Sequence, residues 1–149
     1  MIRRMRAWLA AAAAVVALLG ASAPMYAAAP ASYSTWLIAK MVTAEEGNRN
    51  FTDQVGVAAV VLNRLNAKGF PKTVAGVIYQ PWAFTSVANG YFYNVAPSQT
   101  ALQATAAALN GWDPTNGALY FFDPGPRVTN AWIYNQPVTT IIDHTVYAR

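Results

Sequence analysis

The chain carries two glutamates, Glu45 and Glu46, and they are consecutive. They close an apolar segment, "TWLIAKMVTAEE". On a helical wheel with Leu37 at the origin, Met41, Ile38, Val42 and Ala44 fall at about 40°, 100°, 140° and 340°. Glu45 falls at about 80°, near the middle of that face, and Glu46 at about 180°, on its edge. A carboxyl on an apolar face loses hydration, which favours its protonated form. The last turn of a helix is the negative end of its dipole and acts the same way. The neighbouring Glu46 adds like-charge repulsion. Together these effects favour a proton held near neutral pH, which a general acid needs. The competing structural reading is a glutamate paired with an arginine such as Arg64, or a helix end that frays.

A glycosidase usually needs a second carboxylate, and none stands out. Asp113 and Asp123 precede prolines, Asp53 reads as a helix cap, and Asp143 is near the C-terminus. This scarcity favours a mechanism with one carboxylate, Glu45. The chain has no cysteine and one histidine, His144. A zinc site of the Cys- or His-rich kind cannot be assembled from it, so neither a metal nor a cofactor is expected. No G-x-S-x-G elbow accompanies His144, which sits in an alternating, strand-like segment and reads as structural. Asn63 and Arg64 end an apolar helix; they either solvate its end or touch substrate. From Pro30 onward there are four Trp, seven Tyr and six Phe. Trp82, Tyr91, Phe92, Tyr93 and Trp132 lie in polar, loop-like settings, where flat rings suit a sugar groove.

These groups must be positioned by the rest of a 149-residue chain that is 55% hydrophobic and 11% charged. No internal period is visible, so one domain with a substantial core is expected. Residues 1–29 differ in kind. Arg3, Arg4 and Arg6 precede an apolar run from Ala7 to Gly20, followed by small residues with Ala-x-Ala patterns. This is the anatomy of a secretory signal peptide cleaved between Ala23 and Ala31; an uncleaved anchor is the alternative, although the run is short for a membrane span. The expected mature domain is 30–149, exported to the periplasm, cell wall or medium, with no stable span. Its seven basic and six acidic residues leave +1 of the full chain's +4. No basic cluster suggests nucleic acid.

Ser34 or Ser32 can cap the first helix, which Gly47 and Asn48 stop. Thr52 or Asp53 can cap a second, "QVGVAAVVLNRLNAK", apolar almost all round and so expected to be central. "KTVAGVIYQ" is a short helix or a strand. "PWAFTSVANGYFYNVAP" reads as an aromatic loop. Ser98 caps a third helix, and "ALYFF" reads as a strand after the turn cluster "DPTNG". "VTNAWIYNQPVTTIIDHTVYAR" reads as one or two more strands. The fold class is α+β, mainly helical, with a small β portion toward the C-terminus.

Four blocks in order, "AEEGNRNFTDQVGVAAVVLNR", "FPKTVAGVIYQPWAFTSV", "ALNGWDPTNGALYFFDP" and, more loosely, "PVTTIIDHTVYA", resemble the SleB-type cell wall hydrolases, which include spore-cortex-lytic enzymes. The resemblance spans about Trp36 to Ala148. It implies a lysozyme-like catalytic domain acting on peptidoglycan glycan strands, with Glu45 as the catalytic acid. It further implies a lytic transglycosylase that cleaves between N-acetylmuramic acid and N-acetylglucosamine and leaves 1,6-anhydro ends. Tyr79, Trp82, Phe84 and Tyr120 are the expected groove-lining residues. Simple hydrolysis of the same bond and a non-catalytic glycan-binding envelope protein are the alternatives. Two positions depart from the family pattern. Relatives commonly read A-E-A-R-G-E where this chain places Arg49 last, and many have Gln where it has Ala83.

Overall fold

The computed structural model of the chain describes residues 32–125 and 132–149. The expected leader, 1–29, and the "VTNA" part of the expected C-terminal strand lie outside them. Six helices precede a small sheet. Helix α1 spans Tyr33–Glu46 and is capped by Ser32, whose side chain accepts from Thr35 N–H. Helix α2 spans Phe51–Asn66. Its cap is Asn50, which accepts from Asp53 N–H at 2.8 Å. Thr52 and Asp53, the expected caps, lie inside the first turn instead. The Asn50 side chain takes the orphan amide first, which releases Asp53 for another role.

The undecided segment is helix α3, Val74–Ile78, capped by Thr73. The expected aromatic loop folds into two single-turn helices, α4 at Thr85–Ala88 and α5 at Tyr91–Asn94. Packing of Phe84 and Phe92 into the core, at 3% and 1% exposure, overrides the weak local propensity of that stretch. Helix α6 spans Gln99–Leu109, with Ser98 accepting from Ala101 N–H as its composition suggests.

Strand β1 is Tyr120–Phe122, β2 is Val138–Ile142 and β3 is Thr145–Ala148. The sheet is antiparallel in the order β1-β3-β2, with Phe121 opposite Tyr147 and Ile142 opposite Thr145. Strand β3 is buried at every residue, because it is the central strand and rests on α2. His144 lies in the two-residue turn between β2 and β3, not in a strand, and its side chain is exposed.

Helix α2 is the centre of the molecule. Every residue from Asp53 to Val61 is buried, between α1 and α6 on one side and the sheet on the other. Gly56 permits the closest approach. A Cβ there would stand 2.5 Å from the Tyr147 hydroxyl and 2.7 Å from its Cζ. That hydroxyl donates to Asp53 Oδ1 at 2.5 Å and lies 3.0 Å from the Asp53 carbonyl oxygen. Among the described residues no helix is long and apolar enough to cross a membrane.

Candidate active site

Helix α1 ends beside an open groove of about 480 Å³. Glu45 lines it, together with Arg64 from α2, Phe70, Gln80, Trp82, Ala83, Phe84 and Thr85 from the α2–α4 region, and Tyr120 and Trp132 near the sheet. The Glu45 carboxylate accepts from the backbone N–H of Ser86, in the first turn of α4, at 2.9 Å. No other described donor holds its second oxygen.

The wheel sets Glu45 inside the buried face of α1 and Glu46 on its edge, and the structure reverses their burial. The α1 face that buries Leu37, Ile38 and Met41 opens at the level of Glu45 into the groove, so this carboxyl is half-buried. Glu46 is the buried member of the pair, at 7% exposure. It turns into the wedge between α1, α2 and the sheet. Burial, followed by the charge of Asp53, pushes the Glu46 carboxyl up to about 8, against the opposing pull of Arg49.

Arg49 binds this second carboxylate cluster from outside. Its Nε lies 3.0 Å from Glu46 Oε2, a contact without hydrogen-bond alignment, and its Nη2 donates to Asp123 Oδ2. Asp143 is at 3.9 Å. Burial alone would lower the Arg49 guanidinium, but Glu46, Asp123, Asp53 and Asp143 raise it. Asp53 is fully buried, and burial raises its carboxyl despite bonds from Tyr147 and Thr145. Asp113 is committed elsewhere. Burial opposes its charge, but donors from Thr115, Asn63 and Gly117 outweigh it and hold the carboxyl below its ordinary range.

Arg64 does not pair with Glu45, contrary to the structural reading of that glutamate. Its Nε donates to Leu119 O at 2.7 Å, and its guanidinium lies over Phe84, Phe70 and Tyr120 at 4.8, 5.5 and 5.7 Å. Burial lowers it to about 10, partly countered by Tyr120 and by the charge of Glu45. It remains a fixed positive charge near the groove at neutral pH.

Of the expected groove residues, three meet Glu45 there. Phe84 is its buried floor, Tyr120 a half-buried wall, and Trp82 a rim at 90% exposure. Tyr79 does not line this groove. It lies beyond Trp82, stacked at 13° on Tyr93 with centroids 6.5 Å apart. Ala83 lines the groove. Ser86 and Gln80 are not found by sequence reasoning. A backbone N–H has no side-chain signature, and Gln80 carries no charge or ring to mark it.

The family model for Cell Wall Hydrolase matches residues 48–148, beginning just after the two glutamates. The chain belongs to the cell wall hydrolase family. It is 43% identical over 113 residues to a spore cortex-lytic enzyme of Bacillus cereus, covering 76% of this chain and 43% of the relative. It is 48% identical over 101 residues to the spore cortex-lytic enzyme of Bacillus subtilis, covering 68% and 32%. The chain thus spans less than half the length of these relatives.

Two solved domains of this cell wall hydrolase family share the fold. The catalytic domain of Bacillus cereus SleB superposes with a TM-score of 0.71 at 42% identity, covering 78% of this chain and 89% of that one. The catalytic domain of the germination-specific lytic transglycosylase SleB of Bacillus anthracis gives 0.73 at 40%, covering 80% and 96%. The α+β, mainly helical architecture expected from the sequence is that of the SleB catalytic domain.

Proposed function

We propose that the groove binds a peptidoglycan glycan strand and that Glu45 cleaves it between N-acetylmuramic acid and N-acetylglucosamine as a lytic transglycosylase. The observation that carries this reading is that Glu45 is the one carboxylate among the described groove-lining residues. Glu46 and Asp53 are buried, Asp123 and Asp143 face Arg49, and Asp113 holds a turn. The absence of a second carboxylate among the described groove-lining residues favours a mechanism in which one carboxylate switches role, as transglycosylation requires. The likeness to the Bacillus anthracis lytic transglycosylase supports the same choice.

Protonated Glu45 gives its proton to the glycosidic oxygen. The C1–O bond breaks through an oxocarbenium-like state, and the sugar leaves as an alcohol. The Glu45 carboxylate then takes the proton of the muramic C6 hydroxyl, whose oxygen closes on C1. The product is a 1,6-anhydro ring, and no water is consumed. Ser86 N–H fixes the rotamer of the acid throughout. Arg64 keeps a positive charge at the wall of the groove. Trp82 and Tyr120 offer ring surface to the sugars, above the buried floor that Phe84 makes. Neither a metal nor a cofactor enters these steps. Residues 1–29 serve as the export signal, and the mature domain 30–149 acts in the periplasm or wall.

The test is a peptidoglycan digest by the mature protein and by Glu45→Gln, with the fragments weighed by mass spectrometry. Anhydro-muramic ends that vanish with the variant are expected. Fragments one water heavier would replace transglycosylation by hydrolysis. Binding of strands without cleavage by either protein would leave a glycan-binding envelope protein.

A further inference from the structure

Helix α1 has a solvent face that the groove does not use. On the wheel with Leu37 at the origin, Trp36, Lys40 and Tyr33 fall at about 260°, 300° and 320°, away from Glu45 at about 80°. Tyr33 is 67% exposed and Trp36 38%, and their rings stack with centroids 6.1 Å apart. The Lys40 ammonium lies 5.1 Å from the ring centroid of Trp36 and 5.0 Å from that of Phe92 in α5. Tyr79 and Tyr93, both exposed, continue the patch around Phe92. Burial, followed by the neighbouring phenols of Tyr33 and Tyr93, raises the Tyr79 hydroxyl, so the three tyrosines stand together. Trp82, held at a left-handed φ of 62°, belongs to the groove rim instead.

Two properties set this patch apart from a ligand cleft. It is not concave: neither the groove nor the hollow of about 290 Å³ beyond Trp82 is lined by Tyr33, Trp36, Lys40 or Tyr93. It is also positive. Lys40 makes no ion pair among the described residues, and the six acids are engaged elsewhere, at Ser86, Arg49, Tyr147 and Thr115. Tyrosine and tryptophan rings, with a lysine stem laid across them, are the composition of a protein surface at the headgroup level of a bilayer. Anionic headgroups complement the ammonium. The sequence brings such a surface near. Gly20, where the apolar run of the proposed export signal ends, is thirteen positions before Tyr33, a reach of at most about 45 Å.

We propose that the face formed by Tyr33, Trp36, Lys40 and Tyr93 docks the exported domain onto the surface of an anionic bilayer. The rings enter the headgroup layer, and the Lys40 ammonium meets lipid phosphates. Because Glu45 leaves α1 on the other side, the groove then faces away from the lipid. Docking of this kind needs neither glycan nor turnover, so it stands or falls apart from the catalytic reading.

The test uses domain 30–149, an extent comparable to the catalytic domains solved on their own. It is sedimented with vesicles of pure phosphatidylcholine and with vesicles of equal parts phosphatidylcholine and phosphatidylglycerol. Binding to the anionic vesicles is expected, weakened about fivefold by Lys40→Gln, the share of one lysine at an anionic surface. Tyr33→Ser together with Tyr93→Ser should remove most of the remainder. Lipids brominated on their acyl chains should quench the tryptophan fluorescence of the wild type, and Trp36→Phe should lose that quenching while still binding. Tyr33→Ser and Lys40→Gln should digest isolated wall at the wild-type rate. No sedimentation with either vesicle overturns the proposal, as does binding that none of the variants weakens. Binding to isolated wall that these variants lose, with no binding to vesicles, would make the patch a glycan surface and overturns it too. Vesicle binding by a protein that cleaves no wall keeps the docking face and overturns the catalytic reading alone.

Discussion

Glu45 accepts the Ser86 backbone N–H at 2.9 Å at the wall of the groove, while Glu46, one residue on, is 7% exposed beside Asp53. One helical step separates a carboxyl with an open face from a carboxyl sealed in protein. Their substitutions should therefore have different consequences.

Glu45→Gln should lower wall-cleaving activity by about 10²–10⁴-fold, the usual contribution of a general acid. The glutamine oxygen can still accept from Ser86 N–H, so the melting temperature should move less than in Glu45→Ala. Turbidity loss of a wall suspension and a thermal melt measure the two effects. Full activity in Glu45→Gln would remove this residue from the chemistry.

Glu46 makes stability depend on pH. Its folded-state pKa, about 8, lies above its unfolded value, so the folded protein holds a proton that the unfolded chain releases. This contribution is complete below the unfolded pKa and is lost as pH rises through about 8. Urea midpoints should fall across that window and level off above it. Glu46→Gln should flatten most of the slope. Asp53, raised in the same direction by burial, accounts for a remainder. A wild-type midpoint that climbs across the window would refute the assignment.

Arg49 lies against Glu46 and neutralises Asp123 and Asp143. Arg49→Glu should lower the melting temperature more than Arg49→Ala does, because it adds a fourth acid to the group. Asp123 and Asp143 are partly exposed, so 1 M salt should recover a good part of the loss. Melting curves at low and high salt for the two variants decide this; identical losses would mean that the arginine acts through packing alone.

Trp82→Gly should relieve the left-handed strain, typically about 1–3 kcal/mol, against an entropic cost of about 0.4–1 kcal/mol in the unfolded chain. The variant should melt no lower than the wild type while its affinity for glycan falls. A lower melting temperature with unaltered affinity would make Trp82 a structural residue.

Gly56→Ala should be costly, although alanine is the better helix former. The new Cβ would meet the Tyr147 hydroxyl at 2.5 Å, in a contact that backbone and ring must both yield to relieve. Overpacking of this kind typically costs about 1–3 kcal/mol, readable as a fall in the urea midpoint.

Much of this architecture is legible in the residues alone. The Ser98 cap, the glycine after Glu46, the all-apolar face of α2 and the strand "ALYFF" are local signals, and a local signal suffices where capping bonds or burial all round leave one solution. The direction of Glu45 was likewise readable, because a helical wheel fixes angles. Only the tertiary structure decided which of two adjacent glutamates is buried, since that depends on whether protein or a groove stands opposite. It alone brought the Ser86 N–H to Glu45 across 41 positions of sequence, placed Tyr79 beyond Trp82 rather than beside Glu45, and set Arg64 on aromatic rings. These relations join segments distant in the chain, and packing, which composition and periodicity do not contain, determines them.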